Sequence, residues 1–200
     1  MKLSTLVKHI RESEIKYRKL IYRELIYNHY LQEQVAINQL NEQTDDINKQ
    51  SDVLNKIRNG EWESPQNAKS FKQSMGKSKH GEMLTPYSTN ELAQMKLYKL
   101  VGYNIGFALK KKDGKYKEIV AVHNNEPDVK NIGKDLMRAA IKYGGCYLDH
   151  FDGYLSSFYD SLGFEEIDRD KFDPQYDQDG SFRKKYGAAD VIYRKYKNCK

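Results

Sequence analysis

Residues 1–60 contain no proline, and Gly60 is their only glycine. The run lacks the two residue types that most readily end a helix, so close to a third of the chain is committed to helical structure. Leu3, Leu6, Val7 and Ile10 follow the three-four spacing of one helical face, and Ile15, Leu20, Ile21, Leu25 and Ile26 continue an apolar stripe. A second helical signal opens at "TDDINKQSDVLNKIRNG". There Thr44 is a candidate cap, Asp45 and Asp46 suit the positive end of a helix, and Gly60 falls just past the last turn. Residues 1–60 are therefore expected to form two or three helices with a break near residues 38–44. Ile47, Leu54 and Ile57 make a narrow apolar seam, which suits packing on the rest of the fold or an arm for self-association or a partner.

Residues 61–87 change character. Pro65, Gly76, Gly81 and Pro86 punctuate them, and Lys69, Lys72, Lys77 and Lys79 give them positive charge. The stretch reads as a polar linker or long loop. Gly76-Lys77-Ser78 lacks the upstream glycine of a nucleotide-binding loop.

Residues 88–200 read as a compact α/β domain. "STNELAQMKLYKLVG" carries Ser88 or Thr89 as a cap and a helical apolar pattern. Strands over 103–110 and 116–123 flank the turn pair Asp113-Gly114, the signature of a tight hairpin. "DVKNIGKDLMRAAIKYGG" is a helix with Ile132, Leu136, Met137, Ala140 and Ile141 on one face, stopped by Gly144 and Gly145. A short strand "CYLDHF", a short helix ended by Gly163, a strand "FEEIDRD", a polar loop and a last strand "ADVIYRKYK" complete the order.

A formal net charge of +6 fits contact with nucleic acid, anionic cofactors or acidic proteins. The lysines of residues 69–79 and the helical arm are where a nucleic acid would make contact, the plain alternative being a solvated, lysine-rich segment. Cys146 and Cys199 have no metal-ligand spacing, and no disulfide framework is expected; a reducing, cytoplasmic setting is the default. No run approaches the length of a membrane span, and Lys8 and Arg11 interrupt what would be the core of a signal peptide. Asp173, Asp177 and Asp179 near Gly180 fail the spacing of a calcium loop, so no metal is expected.

Two pieces carry chemistry. A strand ending "IVAVHNN" leads through a loop into a helix beginning near "NIGKDLMRAA". A helix start after a strand is a natural anion site, with Gly133 permitting close backbone approach and Lys130 and Lys134 adding charge. The second piece is Tyr159-Asp-Ser-Leu-Gly163-Phe164.

Together these resemble the GCN5-related N-acetyltransferase family (GNAT), specifically the acetyltransferase-like proteins of bacteriophages, some of them internal virion proteins. The resemblance covers about residues 101–196 and implies a GNAT-like mixed central sheet flanked by helices, to which the helical pattern of residues 1–60 adds an all-helical N-terminal extension. The division into 1–60, 61–87 and 88–200 rests on the residue patterns above, and the resemblance leaves the helical N-terminal region unexplained; what it does imply is acetyl-CoA as co-substrate for transfer to an amine. It implies a pyrophosphate held by Val122, Lys130, Asn131, Ile132, Gly133 and Lys134, and Tyr159 as the acid that protonates the leaving thiolate. The chain departs from the family's phosphate loop: aligned on Gly133, the first glycine becomes Asn131 and the leading Arg or Gln becomes Asp128. A carboxylate there is expected to oppose the pyrophosphate, which leaves open a catalytically inactive relative, such as a phage-particle component, that works through its helical arm.

The candidate residues each have a plain reading beside the chemical one. Tyr159 is a general acid or a core tyrosine. His150 is a base for the substrate amine or a structural group, with Asp149 on the opposite strand face. His123 is a base near the thioester or a strand-end histidine facing solvent. Asp152 reads as a helix cap.

Overall fold

A computed structural model describes residues 3–64, 68–76, 85–176, 183–184 and 187–199, with the backbone alone for residues 3–19 and Tyr22. The described chain divides into two compact units, Met1–Asn48 and Lys49–Lys200. Helix α1 runs unbroken from Leu3 to Asn59. The break expected near residues 38–44 is absent: the Thr44 hydroxyl does not cap a new helix but donates to the Leu40 carbonyl one turn back, at 2.8 Å. In the first unit, Leu20, Leu25, Ile26, Leu40 and Ile47 are all exposed. The apolar positions before Leu20 lie outside the described side chains.

The second unit is a seven-stranded mixed sheet in the order β1-β2-β3-β4-β5-β7-β6. The strands are β1 (Trp62–Glu63), β2 (Lys96–Leu100), β3 (Ile105–Lys112), β4 (Lys115–Asn124), β5 (Tyr147–Phe151), β6 (Phe164–Asp170) and β7 (Val191–Tyr196). Every neighbouring pair is antiparallel except β4 and β5. That parallel pair requires a crossover, supplied by α4 (Gly133–Lys142). The remaining helices are α2 (Ala68–Met75), α3 (Thr89–Ala93) and α5 (Tyr154–Asp160).

Local chemistry fixes several of these elements. Asp113 and Gly114, at φ 52° and 77°, turn the β3–β4 hairpin as the sequence predicts. Ser88 caps α3 through a reciprocal pair with Glu91. The helix is shorter than expected, because "KLYKL" leaves it to become β2.

Two apolar layers cover the sheet. One holds Val53 and Ile57 from the end of α1, Leu136, Met137 and Ala140 from α4, and Phe107, Leu109, Ile119, Leu148 and Phe164 from the strands. The other holds Ala68 and Phe71 from α2, Leu92 from α3, and Leu97, Ala108, Val120 and Ala121. The stretch 61–87, expected as a linker, thus contributes an edge strand and a core helix; Lys77, Lys79 and Gly81 lie outside the described residues.

Cys146 and Cys199, expected to form no disulfide, are joined, with Cα atoms 5.4 Å apart. The Tyr147↔Lys195 register places the start of β5 beside the end of β7. A turn in which Cys199 N donates to Tyr196 O then brings the second sulfur back to the first. Their separation of 53 residues hides this proximity in the sequence.

Candidate functional site

β4 and β5 are paired in register only at Glu118↔Tyr147. Beyond that point residues 119–124 and 148–151 continue without pairing to each other. The C-terminal ends of a parallel pair are where α/β sheets place ligands. β4 is also kinked there: between Gly106↔His123 and Ala108↔Val120, two steps on β3 oppose three on β4. The extra residue is Ala121, held at φ 52°, a conformation that disfavours any side chain.

The loop from β4 to α4 is braced on every side. Asn124 donates to Val129 O at 2.7 Å and accepts from Glu126 N at 3.0 Å. Gln50 forms a two-way pair with the Lys130 backbone, donating to its carbonyl and accepting from its N–H, both at 2.8 Å. Lys49 bridges Glu126 at 2.9 Å and Asp128 at 3.3 Å. The Asp128 carboxylate, expected to face a pyrophosphate, is paired with Lys49. Asn131 takes the left-handed conformation at φ 59° that a glycine would adopt. Ile132 then starts α4 with no side-chain cap, its own side chain buried in the core. The first N–H groups of α4 lack a side-chain acceptor, and Gly133, Lys130 and Lys134 are exposed around them.

α5 packs beside this helix start. A Cβ added at Gly133 would meet the Phe158 ring at 3.5 Å, an ordinary contact, so the protein's own packing does not require a glycine there. The Phe158 and Tyr159 rings lie 5.2 Å apart, and Tyr159 lies 5.0 Å from His150. Burial, with Asp149 adding to it, pushes the Tyr159 phenol up to about 12. The phenol therefore keeps its proton through the neutral range.

His150 is enclosed. Its Nδ1–H donates to Phe151 O at 2.7 Å, and Nε2 accepts from Arg194 Nε at 2.8 Å. Arg194, only 3% exposed, also donates to Asp160 Oδ1 at 2.5 Å and to Phe164 O at 3.3 Å. Burial and the neighbouring guanidinium both hold the His150 ring neutral, below its usual range.

His123 lies in the other layer. It is 3% exposed rather than solvent-facing. Its Nδ1 lies 3.0 Å from Ala121 O, its Nε2 lies 3.0 Å from Ser74 Oγ, and its ring meets Phe71 edge to face. The Ser74 hydroxyl is shared between that nitrogen and Phe71 O at 2.8 Å. Burial pulls His123 down to about 4. Gly106 makes room for this packing: a Cβ there would lie 2.5 Å from Tyr98 O and 3.0 Å from the His123 ring.

The fold thus gathers Gly133, Phe158, Tyr159 and His150 in one layer and sets His123 in the other. Val122, half-buried, packs toward the α4 layer. Asp152 accepts from Gly153 N and Ser156 Oγ at the start of α5 and pairs with Arg169 at 2.7 Å, which holds its carboxyl down to about 2. Arg194, Ser74, Lys49 and Gln50 escaped the sequence reading. Arg194 alone left a signal, since it shares the alternation of Ile192 and Tyr196 on β7. Among the described residues no group of three or more His, Cys, Asp or Glu could hold a metal, and no helix is long and apolar enough to cross a membrane. Asp177, Asp179 and Gly180 lie outside the described residues.

No family model matches the chain, and no curated protein matches it at a significant level. Among solved structures it is similar to N-acetylglutamate synthase from Neisseria gonorrhoeae, crystallised with coenzyme A and L-arginine, at 16% identity and a TM-score of 0.41. The likeness covers 68% of this chain and 34% of that enzyme's chain.

Proposed function

We propose that the chain binds acetyl-CoA at the start of α4 and transfers its acetyl group to an amine. The observation that carries this reading is the N-terminus of α4, which no side chain caps, held beside the ends of β4 and β5 by a braced loop with Asn131 in the left-handed conformation. Free N–H groups and the helix dipole suit a pyrophosphate there, and Lys130 and Lys134 add charge. In this reading the amine nitrogen bonds to the acetyl carbon, the carbon–sulfur bond breaks as Tyr159, one ring away from Phe158 and Gly133, donates its proton to the departing sulfur, and the surplus proton on the new amide nitrogen restores the phenol.

Neither His123 nor His150 supplies a free lone pair in this conformation, because each ring nitrogen has a partner. The acceptor amine then enters already neutral, which favours amines of low pKa.

Calorimetric titration of acetyl-CoA into the full chain tests the reading. Micromolar binding that Gly133→Glu abolishes at unchanged thermal stability supports it, since the variant sets a second carboxylate beside Asp135 in the first turn, at the position nearest the phosphates. Absence of binding by the native chain sinks it.

A second reading has its own observation: the row of exposed apolar residues from Leu20 to Ile47. In it the fold is kept without catalysis, and α1 docks on a partner or a second copy, as in a phage-particle component. Light scattering on the full chain, beside a chain with Leu25, Ile26, Leu40 and Ile47 changed to Lys, checks this. A native chain that is monomeric and captures no partner removes its support.

A further inference from the structure

We propose that the hairpin end of the sheet, at the opposite end of β4 from the α4 start, binds single-stranded nucleic acid through its phosphates. Register collects the lysines of four strands there. Lys96 lies opposite Leu109, Lys111 opposite Tyr116, Lys112 opposite Lys115, and Lys195 opposite Tyr147. The nearby acids Glu118 and Glu165 are engaged by Lys110 and Lys197, leaving Asp113 at the tip against the rest.

The lysines are held in place. Tyr116 lies between Lys96 and Lys111, at 5.0 and 5.2 Å from its ring centre. Tyr147 lies between Lys112 and Lys195, at 4.7 and 5.8 Å. A cation over a tyrosine face is attracted by the ring quadrupole and keeps its charge. None of these four lysines has an acidic partner within ion-pair distance among the described residues, so their charge is available to an external anion.

The geometry favours a strand over a flat surface. Tyr116 packs toward the α4 layer. Tyr147 precedes Leu148 of that layer and so faces the other way. The two lysine pairs therefore flank opposite faces of the sheet, with Lys115 and the Asp113-Gly114 turn between them. A flexible polyanion can pass over this end of the sheet and meet both pairs, whereas a bilayer meets one side only. Because the tyrosine faces are already occupied by lysines, recognition is of phosphates and not of base sequence. β4 spans about 30 Å, which keeps this surface apart from the candidate acetyl-CoA site.

The test is fluorescence anisotropy of the full chain with a labelled oligothymidine of about 20 nucleotides. Contact with about four phosphates predicts a loss of affinity of roughly 50-fold between about 50 and about 200 mM salt. Changing Lys96, Lys111, Lys112 and Lys195 together to Gln is expected to weaken binding more than tenfold and flatten the salt dependence, and changing the same four to Arg to retain it. Lys115→Glu, at the exposed first position of β4, should weaken binding several-fold, while Lys69→Gln with Lys72→Gln should not. No binding at the lower salt, or binding that the Gln set and Lys115→Glu leave unchanged, overturns the proposal. So does sedimentation with phosphatidylserine vesicles without oligonucleotide binding, or displacement of the bound oligonucleotide by polyglutamate as readily as by unlabelled oligonucleotide.

Discussion

Arg194 donates its Nε–H to His150 Nε2 at 2.8 Å while its terminal nitrogen reaches Asp160 at 2.5 Å. The two partners differ in what their loss does. Arg194→Met leaves an exposed aspartate and one unsatisfied imidazole nitrogen, a cost of about 1–3 kcal/mol. Asp160→Asn leaves a buried guanidinium without its counter-charge, a cost of about 3 kcal/mol or more. Urea unfolding of both variants should rank Asp160→Asn as the more damaging, although Asp160 is the exposed member of the pair. The reverse order would mean that packing around the arginine, and not its charge balance, holds β7 in place.

Stability should fall with acid before any carboxylate titrates. His123 is held near 4 in the folded chain against about 6.5 when unfolded, so the unfolded state binds the proton first. The contribution is present above about pH 6.5 and is lost progressively as pH falls toward 4, amounting to roughly 3 kcal/mol. His150 is shifted in the same direction and adds to the trend. Denaturant midpoints of the native chain and His123→Gln at pH 7 and pH 5 measure it. The variant should show the shallower dependence.

Tyr159→Phe separates chemistry from packing. If the phenol donates its proton in acetyl transfer, turnover drops by about 10²-fold or more with acetyl-CoA affinity unchanged. The ring keeps its contacts with His150, Phe158 and Phe164, so thermal stability should move little. Steady-state kinetics with calorimetry decides it: unchanged turnover removes Tyr159 from the mechanism.

The Cys146–Cys199 bond closes a loop of 53 residues around β5, α5, β6 and β7. Replacing Cys199 with Ser, or adding a thiol reductant, should cost about 2–4 kcal/mol, mostly by freeing the unfolded chain. Denaturant unfolding with and without reductant gives the number, and the Cys199→Ser chain should be indifferent to reductant.

What the sequence made legible was local. The Asp113-Gly114 turn, the Ser88 cap and the amphipathic α4 rest on contacts within a few residues, and each was readable as it stands. α1 misled because Thr44 with Asp45 and Asp46 has the chemistry of a helix start, yet a threonine hydroxyl satisfies itself equally by bonding back to Leu40. α2 was hidden by the lysines around Ala68 and Phe71, since two apolar anchors suffice when the sheet supplies the other side. The candidate site was legible as a helix start and a tyrosine. The partners that neutralise it as a source of bases were not: Ser74 meets His123 from 49 residues away, and Arg194 meets His150 from 44.

The kink at Ala121 makes β4 a strand of two phases. Before it, odd-numbered Ile119 faces the α4 layer and even-numbered Val120 faces α2. After it, even-numbered Val122 faces α4 and odd-numbered His123 faces α2. If β4 instead ran through Ala121 without the kink, strict alternation would exchange the two, carrying the imidazole to the α4 side and a valine onto Ser74. One alanine in a strained conformation is therefore what keeps a histidine out of the candidate site.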